Sequence, residues 1–84
     1  MVFRDALKRF ILENLAPEGQ AAVGDNDSLI EQGLLDSMAL MQLIQFTEEQ
    51  TGVRVPDDQV YGGNFQSIAA IEALVERLRA RDRK

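Results

Sequence analysis

Two adjacent side chains carry the most chemical promise in this sequence: the carboxylate of Asp36 and the hydroxyl of Ser37. They stand between a Gly33-Leu34-Leu35 approach and a strongly apolar stretch that begins at Met38. Aspartate is favoured just before a helix because its carboxylate accepts a backbone N–H that the helix leaves unpaired, and the positive end of the helix dipole favours its charge. Ser37 then falls in the first turn with its hydroxyl directed to solvent. The chain contains no histidine and no cysteine, so no imidazole stands by to make this serine a nucleophile. Its value has to come from what another enzyme attaches to it. A hydroxyl at a helix start, carried by a flexible loop, suits a modifying enzyme, and a phosphodiester placed there would meet the positive end of the dipole. On local chemistry alone, a plain helix cap is the simpler reading.

Composition narrows the classes. Eighty-four residues make one small domain, residues 1–84, with modest stability. The missing cysteines exclude a disulfide framework, and the missing histidines argue against an unaided hydrolase or a zinc enzyme. Net charge is −5, from 14 acidic and 9 basic residues. The bases cluster at the two ends: Arg4, Lys8 and Arg9, then Arg77, Arg79, Arg81, Arg83 and Lys84. Between Phe10 and Glu76 there are twelve acids and one base, Arg54, a net of −11. Such a field repels nucleic acid and anionic membrane and attracts basic protein surfaces. Solubility is the blander explanation for the same acids. No secretory signal is visible, and no apolar run approaches the ~20 residues of a membrane span. A soluble cytoplasmic protein is expected.

The elements that must position Ser37 follow from periodicity. Phe3, Ala6, Leu7, Phe10, Ile11 and Leu15 recur at helical spacing, which predicts a first amphipathic helix over 3–15, ended by Pro17 and Gly19. Residues 16 to 35 form a long connection rich in turn residues. Within it Ser28-Leu29-Ile30-Glu31 fits a capping box and predicts one short helical turn, with Leu29, Ile30, Leu34 and Leu35 tucked onto the core. A second helix is expected from Ser37 to Thr51, stopped by Gly52. Leu40, Leu43, Ile44 and Thr47 fall on its core side, Met38, Gln42, Gln45 and Glu49 on the opposite side, and Phe46 at the border packs inward. Met38 and Met41 suit a partner surface because methionine adapts to differently shaped pockets. The alternative is that they pack internally, which fits Met41 better than Met38. Val53-Arg54-Val55 looks extended. Pro56-Asp57-Asp58 predicts a brief third helix through about Tyr61, broken by Gly62-Gly63. Ser67 is the favoured cap of a last helix with the stripe Ile68, Ile71, Leu74, Val75 and Leu78, and its basic tail suits the negative end of the helix dipole.

The segment Gly33-Leu34-Leu35-Asp36-Ser37-Met38, followed by a helix ending in Glu48-Glu49 and then by Gly52-Val53-Arg54-Val55-Pro56, closely resembles the acyl and peptidyl carrier protein family. The likeness covers nearly the whole chain. It implies an all-α fold, a four-helix bundle of the acyl-carrier type with a long loop between helices 1 and 2 and a short third helix. It further implies that Ser37 bears a phosphopantetheine arm, transferred from coenzyme A by a phosphopantetheinyl transferase, whose thiol holds cargo as a thioester. Carried over by position, Asp36 helps the transferase recognise and orient the serine, and Met38 is the apolar contact beside the arm. Met41, Gln42, Gln45, Glu48 and Glu49 lie where the family's second helix meets its partners. Those partners are an adenylating ligase or acyltransferase that loads the arm and the downstream enzymes that use the acyl or aminoacyl group. The resemblance thus implies a discrete, monomeric carrier and no enzyme.

The chain departs from fatty-acid-synthesis carriers, which are acid-rich right after the serine. Here Ala39, Gln42 and Gln45 are neutral. The segment from Val55 to Ile68 looks more like free-standing carriers that work with dedicated amino-acid- or acyl-activating enzymes. An aminoacyl or specialised-pathway cargo is therefore expected. The alternatives are an acyl carrier of fatty acid or polyketide synthesis, and an unmodified helical interaction module.

Overall fold

The computed structural model describes residues 2–16, 19, 22–31, 33–60 and 63–82. Among the described residues three α-helices run in chain order: α1 (Phe3–Asn14), α2 (Ser37–Thr51) and α3 (Ile68–Asp82). A single 3-10 turn, Asp57–Gln59, lies between α2 and α3. No strand occurs among the described residues. The all-α expectation therefore stands, and among the described residues three α-helices and that turn stand where four helices are expected. Two neighbouring acids after Pro56 start a turn readily, but the three-residue run gives too few backbone bonds to propagate an α-helix. The expected end of this helix at Tyr61, its breaker Gly62, the stop at Pro17 and the tail residues Arg83 and Lys84 lie outside the described residues.

Helix α1 packs against both α2 and α3. Its Ala6, Leu7 and Ile11 are buried, as the periodicity predicts. Leu43 of α2, together with Ile68, Ile71 and Leu74 of α3, is fully buried, and the four meet Leu7 and Ile11 in one cluster. The core stripe of α2 is Ala39, Leu43 and Thr47, with Leu40, Ile44 and Phe46 half-buried at its edges. Thr47 tolerates complete burial because its hydroxyl donates to the Leu43 carbonyl at 2.8 Å. Phe46 does pack inward: its ring stacks on Phe10 with centroids 4.3 Å apart. Met41 is exposed, at 71%, and the packing alternative for it is set aside.

Gly52 ends α2 in the left-handed conformation at φ 70°, its N–H donating to the Glu48 carbonyl. The chain then turns back. Glu48 accepts the Val55 N–H on its own carboxylate at 2.8 Å, and Val53 and Val55 become buried on either side of exposed Arg54. Ser67 caps α3 as expected, its hydroxyl accepting the Ala70 N–H at 3.1 Å.

The connection between α1 and α2 is tied to the start of α3 by two backbone hydrogen bonds, Leu29 N–H to the Gln66 carbonyl and Ala69 N–H to the Asp25 carbonyl. The side chain of Asp25 adds a third tie. Its carboxylate lies 2.7 Å from the Lys8 ammonium and 3.4 Å from the Arg4 guanidinium, and Arg4 also reaches Glu72 at 2.8 Å. The hydrogen bond from Lys8, helped by the charge of both cations, holds the Asp25 carboxyl below its usual range against the opposing effect of desolvation. The expected helical turn at 28–31 is a hydrogen-bonded turn instead: Ser28 Oγ accepts the Glu31 N–H, and Gly33 at φ 74° reverses the chain. Leu29 and Leu34 are buried, but Ile30 is 59% exposed, contrary to expectation. In a single turn, neighbouring residues point about 100° apart, so the core captures Leu29 and leaves Ile30 outside.

Two outcomes test this packing. Leu43→Ala should lose about 2–5 kcal/mol in urea unfolding, whereas Ile30→Ser should change stability by less than about 0.5 kcal/mol. The Asp25 carboxylate contributes above the ordinary carboxyl pKa, and its contribution is lost as pH falls through its lowered folded value. Asp25→Asn should accordingly lower the melting temperature at pH 7, and the gap from wild type should close below about pH 4. A constant gap across that range would show that its charge does not hold the loop.

Candidate functional site

Leu34 and Leu35 deliver the chain to α2. Leu34 is buried and its N–H donates to the Leu29 carbonyl at 2.9 Å. Asp36 follows in extended conformation, and its Oδ1 accepts the Ala39 N–H at 2.8 Å. Ala39 itself is buried. The cap and two apolar anchors thus grip the backbone on both sides of Ser37. Ser37 is the first residue of α2 and is exposed, and its hydroxyl has no hydrogen-bond partner among the described residues. A small side chain at the first helical position, free of internal bonds and backed by fixed backbone, is what an external enzyme needs to reach.

The residues expected around it separate into two groups. Met38, Met41, Gln42, Gln45 and Glu49 are all exposed along α2, with Met38 at 70%. Glu48 is different: it is half-buried, and the Val55 N–H engages one of its carboxylate oxygens. Its structural task is to fold the chain back after Gly52, which leaves Glu49 as the fully exposed acid of the pair.

One open cleft adjoins the serine, and another lies at the far end of its helix flank. The first, about 210 Å³, is bounded by Asp36, Met38, Ala39 and Gln42 on one side and by Asn14, Leu15, Gly33 and Leu34 on the other. At 100° per residue, Ser37, Met41, Ile44 and Glu48 form the other flank of α2. That flank ends in a cleft of about 500 Å³ lined by Ile44, Glu48, Gly52, Val53, Arg54, Val55 and Asp57. The rise from Ser37 to Ile44 is only ~10 Å. Periodicity could not show these neighbours. Asn14 and Leu15 come from the end of α1, and Val53 to Asp57 come from a turn back that only the Glu48 carboxylate reveals.

Among the described residues, no group of three acids could hold a metal ion. No described helix is long and apolar enough to cross a membrane.

The profile of the protein family described as "Phosphopantetheine attachment site" matches residues 5–75. The D-alanyl carrier protein of Enterococcus faecalis is 38% identical over 68 residues, which cover 76% of this chain and 87% of that protein. A Serratia protein named "Probable acyl carrier protein PigG" is 31% identical over 52 residues, covering 62% of this chain and 60% of that one.

The cap generates its own expectation. Asp36→Ala should cost about 0.5–2 kcal/mol in chemical unfolding, because the Ala39 N–H loses its partner. Asp36→Ser should recover most of that loss. Equal destabilisation by the two variants would rule out capping as the cause.

Proposed function

This chain belongs to the phosphopantetheine-attachment-site family, and on that premise we propose that Ser37 bears the arm and that the cargo is an aminoacyl group. Members of the family are carriers, not enzymes, and hold a covalently attached phosphopantetheine. The observation that carries the assignment to Ser37 is its geometry: an exposed, unbonded hydroxyl on the first residue of a helix whose start is fixed by the Asp36 cap.

The chain's own residues have limited tasks in this reading. Ser37 supplies the oxygen. It gains a bond to phosphorus as the pyrophosphate link of coenzyme A breaks, and its proton passes to a base of the transferase, since this chain has no histidine to take it. Asp36 keeps the helix start wound so that the oxygen stays in place. The helix dipole favours the phosphodiester charge, while the Asp36 carboxylate turns its own charge to the Ala39 N–H. When bound, the arm supplies a thiol that holds cargo as a thioester, a function no side chain of this cysteine-free protein can perform. Met38, Met41, Gln42, Gln45 and Glu49 form the surface that the transferase, the loading ligase and the cargo-using enzymes dock on. The acidic field around them speeds encounter with basic partners. The protein works as a discrete carrier in the cytoplasm.

The aminoacyl cargo is supported by the relative that carries D-alanine by name and by the neutral Ala39, Gln42 and Gln45 behind the serine. The Serratia relative, named for an acyl group, supports the second reading, an acyl cargo.

Incubation with coenzyme A and a broad-specificity transferase should raise the intact mass by one phosphopantetheine unit, and Ser37→Ala should stay at the unmodified mass. The variant should keep wild-type stability within about 0.5 kcal/mol, since the hydroxyl bonds to nothing among the described residues. Wild-type protein that gains no mass, or a variant that does, defeats the proposal. Loading of the modified protein by an amino-acid-adenylating enzyme, but not by a fatty-acyl one, separates the two cargoes.

A further inference from the structure

Arg4 and Lys8 are held by Asp25 and Glu72, Arg77 donates to Asn64, and Arg79 sits beside Glu76. Arg9, Arg54 and Arg81 are exposed and have no carboxylate within ion-pair distance among the described residues, and of these Arg54 and Arg81 lie together. These two guanidiniums share one open cleft of about 480 Å³, completed by Val55, Pro56, Leu78 and Asp57. Arg54 is the base that interrupts the acidic stretch between Phe10 and Glu76, and nothing about Ser37 accounts for it. It is presented from a fixed segment, between buried Val53 and Val55. Leu78 and Arg81 are three residues apart on α3 and so share a face. The cleft lies beyond the C-terminal end of α2, ~20 Å along the helix from Ser37.

We infer that this cleft is a second docking site, and that it takes a short acidic segment of a partner protein. The segment's carboxylates meet Arg54 and Arg81, and an apolar side chain covers half-buried Pro56 and the edges of Val55 and Leu78 that reach the cleft. The planar guanidinium fork suits carboxylates, and its hydrogen bonds to them are the strong, charge-assisted kind. The apolar patch around half-buried Pro56 favours a peptide over a bare anion. Asp57 argues against a continuous polyanion: a nucleic acid or an anionic bilayer would have to lie across it and face the chain's net charge of −5. The most exposed apolar side chains, Val2, Ile30, Met38 and Met41, lie outside the cleft, so it lacks the apolar face that seats a helix in a membrane. A partner bound here leaves Ser37 and the exposed face of α2 free. It would keep the carrier within an assembly at high effective concentration while the serine end visits other enzymes.

The test uses a fluorescent, end-blocked peptide of alternating glutamate and leucine, its glutamine counterpart, inorganic phosphate and phosphatidylglycerol vesicles. The glutamate peptide should bind, more weakly as salt rises, and shift the amide resonances of Val55, Leu78 and Arg81. Arg54→Gln with Arg81→Gln should weaken it about tenfold or more. Asp57→Asn should tighten it, a sign that general loss of structure cannot produce. Equal binding of the glutamine peptide, unchanged binding by the double variant, shifts confined to 38–49, or preference for phosphate or vesicles would each overturn the inference. The double variant should still gain the phosphopantetheine unit at Ser37, so failure here and failure of the Ser37 assignment are read separately.

Discussion

A hydroxyl can be offered to another molecule only from a fixed base, and the base here is the backbone between Leu34 and Ala39. The Asp36 carboxylate holds the Ala39 N–H at 2.8 Å, buried Leu34 holds the approach, and buried Ala39 holds the first turn. Ser37 lies between them with no partner for its hydroxyl among the described residues. A serine that bonded inward would have to give up that bond before reacting, at a cost of about 1 kcal/mol or more. The rest of the fold keeps this junction in place. Two backbone hydrogen bonds and the Asp25 ion pairs tie the preceding connection to α1 and α3. The capture of Leu29 fixes the turn that leads to Gly33.

The charge pattern serves separate purposes at separate places. Near α1 it is structural, where Lys8 and Arg4 neutralise Asp25. After α2 it is architectural, where Glu48 uses its carboxylate as a backbone acceptor. Along the outer face of α2 Glu49 remains free beside neutral glutamines. An acid count alone would treat Asp25, Glu48 and Glu49 as equivalent. Of these three, only Glu49 is fully free to meet a partner.

The chemistry of the family explains a composition that looks like a deficit. A protein with neither imidazole nor thiol cannot activate a carbonyl by itself, but it can carry a group that does. Its own sequence then has to supply only an accessible oxygen, a rigid helix start and surfaces for the enzymes that load and unload it. Three helices around Leu7, Ile11, Leu43, Ile71 and Leu74 suffice for that.

Several features are legible in the chain of letters alone. The bounds of α2, the Asp36 cap, the Gly52 stop and the Ser67 cap depend on interactions within four residues, and local sequence encodes them directly. The exposure of Ser37 follows from the same rules. A third helix is overestimated from the letters, because its start signal is present while its length is too short to propagate. Ile30 goes to the unexpected side because an apolar residue in a turn has no periodicity to choose one. The Asp25 clamp, the Glu48 bond to Val55, the lining of the cleft beside Ser37 and the pairing of Arg54 with Arg81 are invisible in the letters for a common reason. Each joins segments brought together by the packing of α1 against its neighbours or by the reversal after Gly52, and one-dimensional spacing carries no record of which side chains meet there. Short-range spacing thus sets where the helices begin and which serine stands at a helix mouth. Which charges are occupied and which are left for a partner is settled only when the helices pack, because charge pairing depends on distance in space.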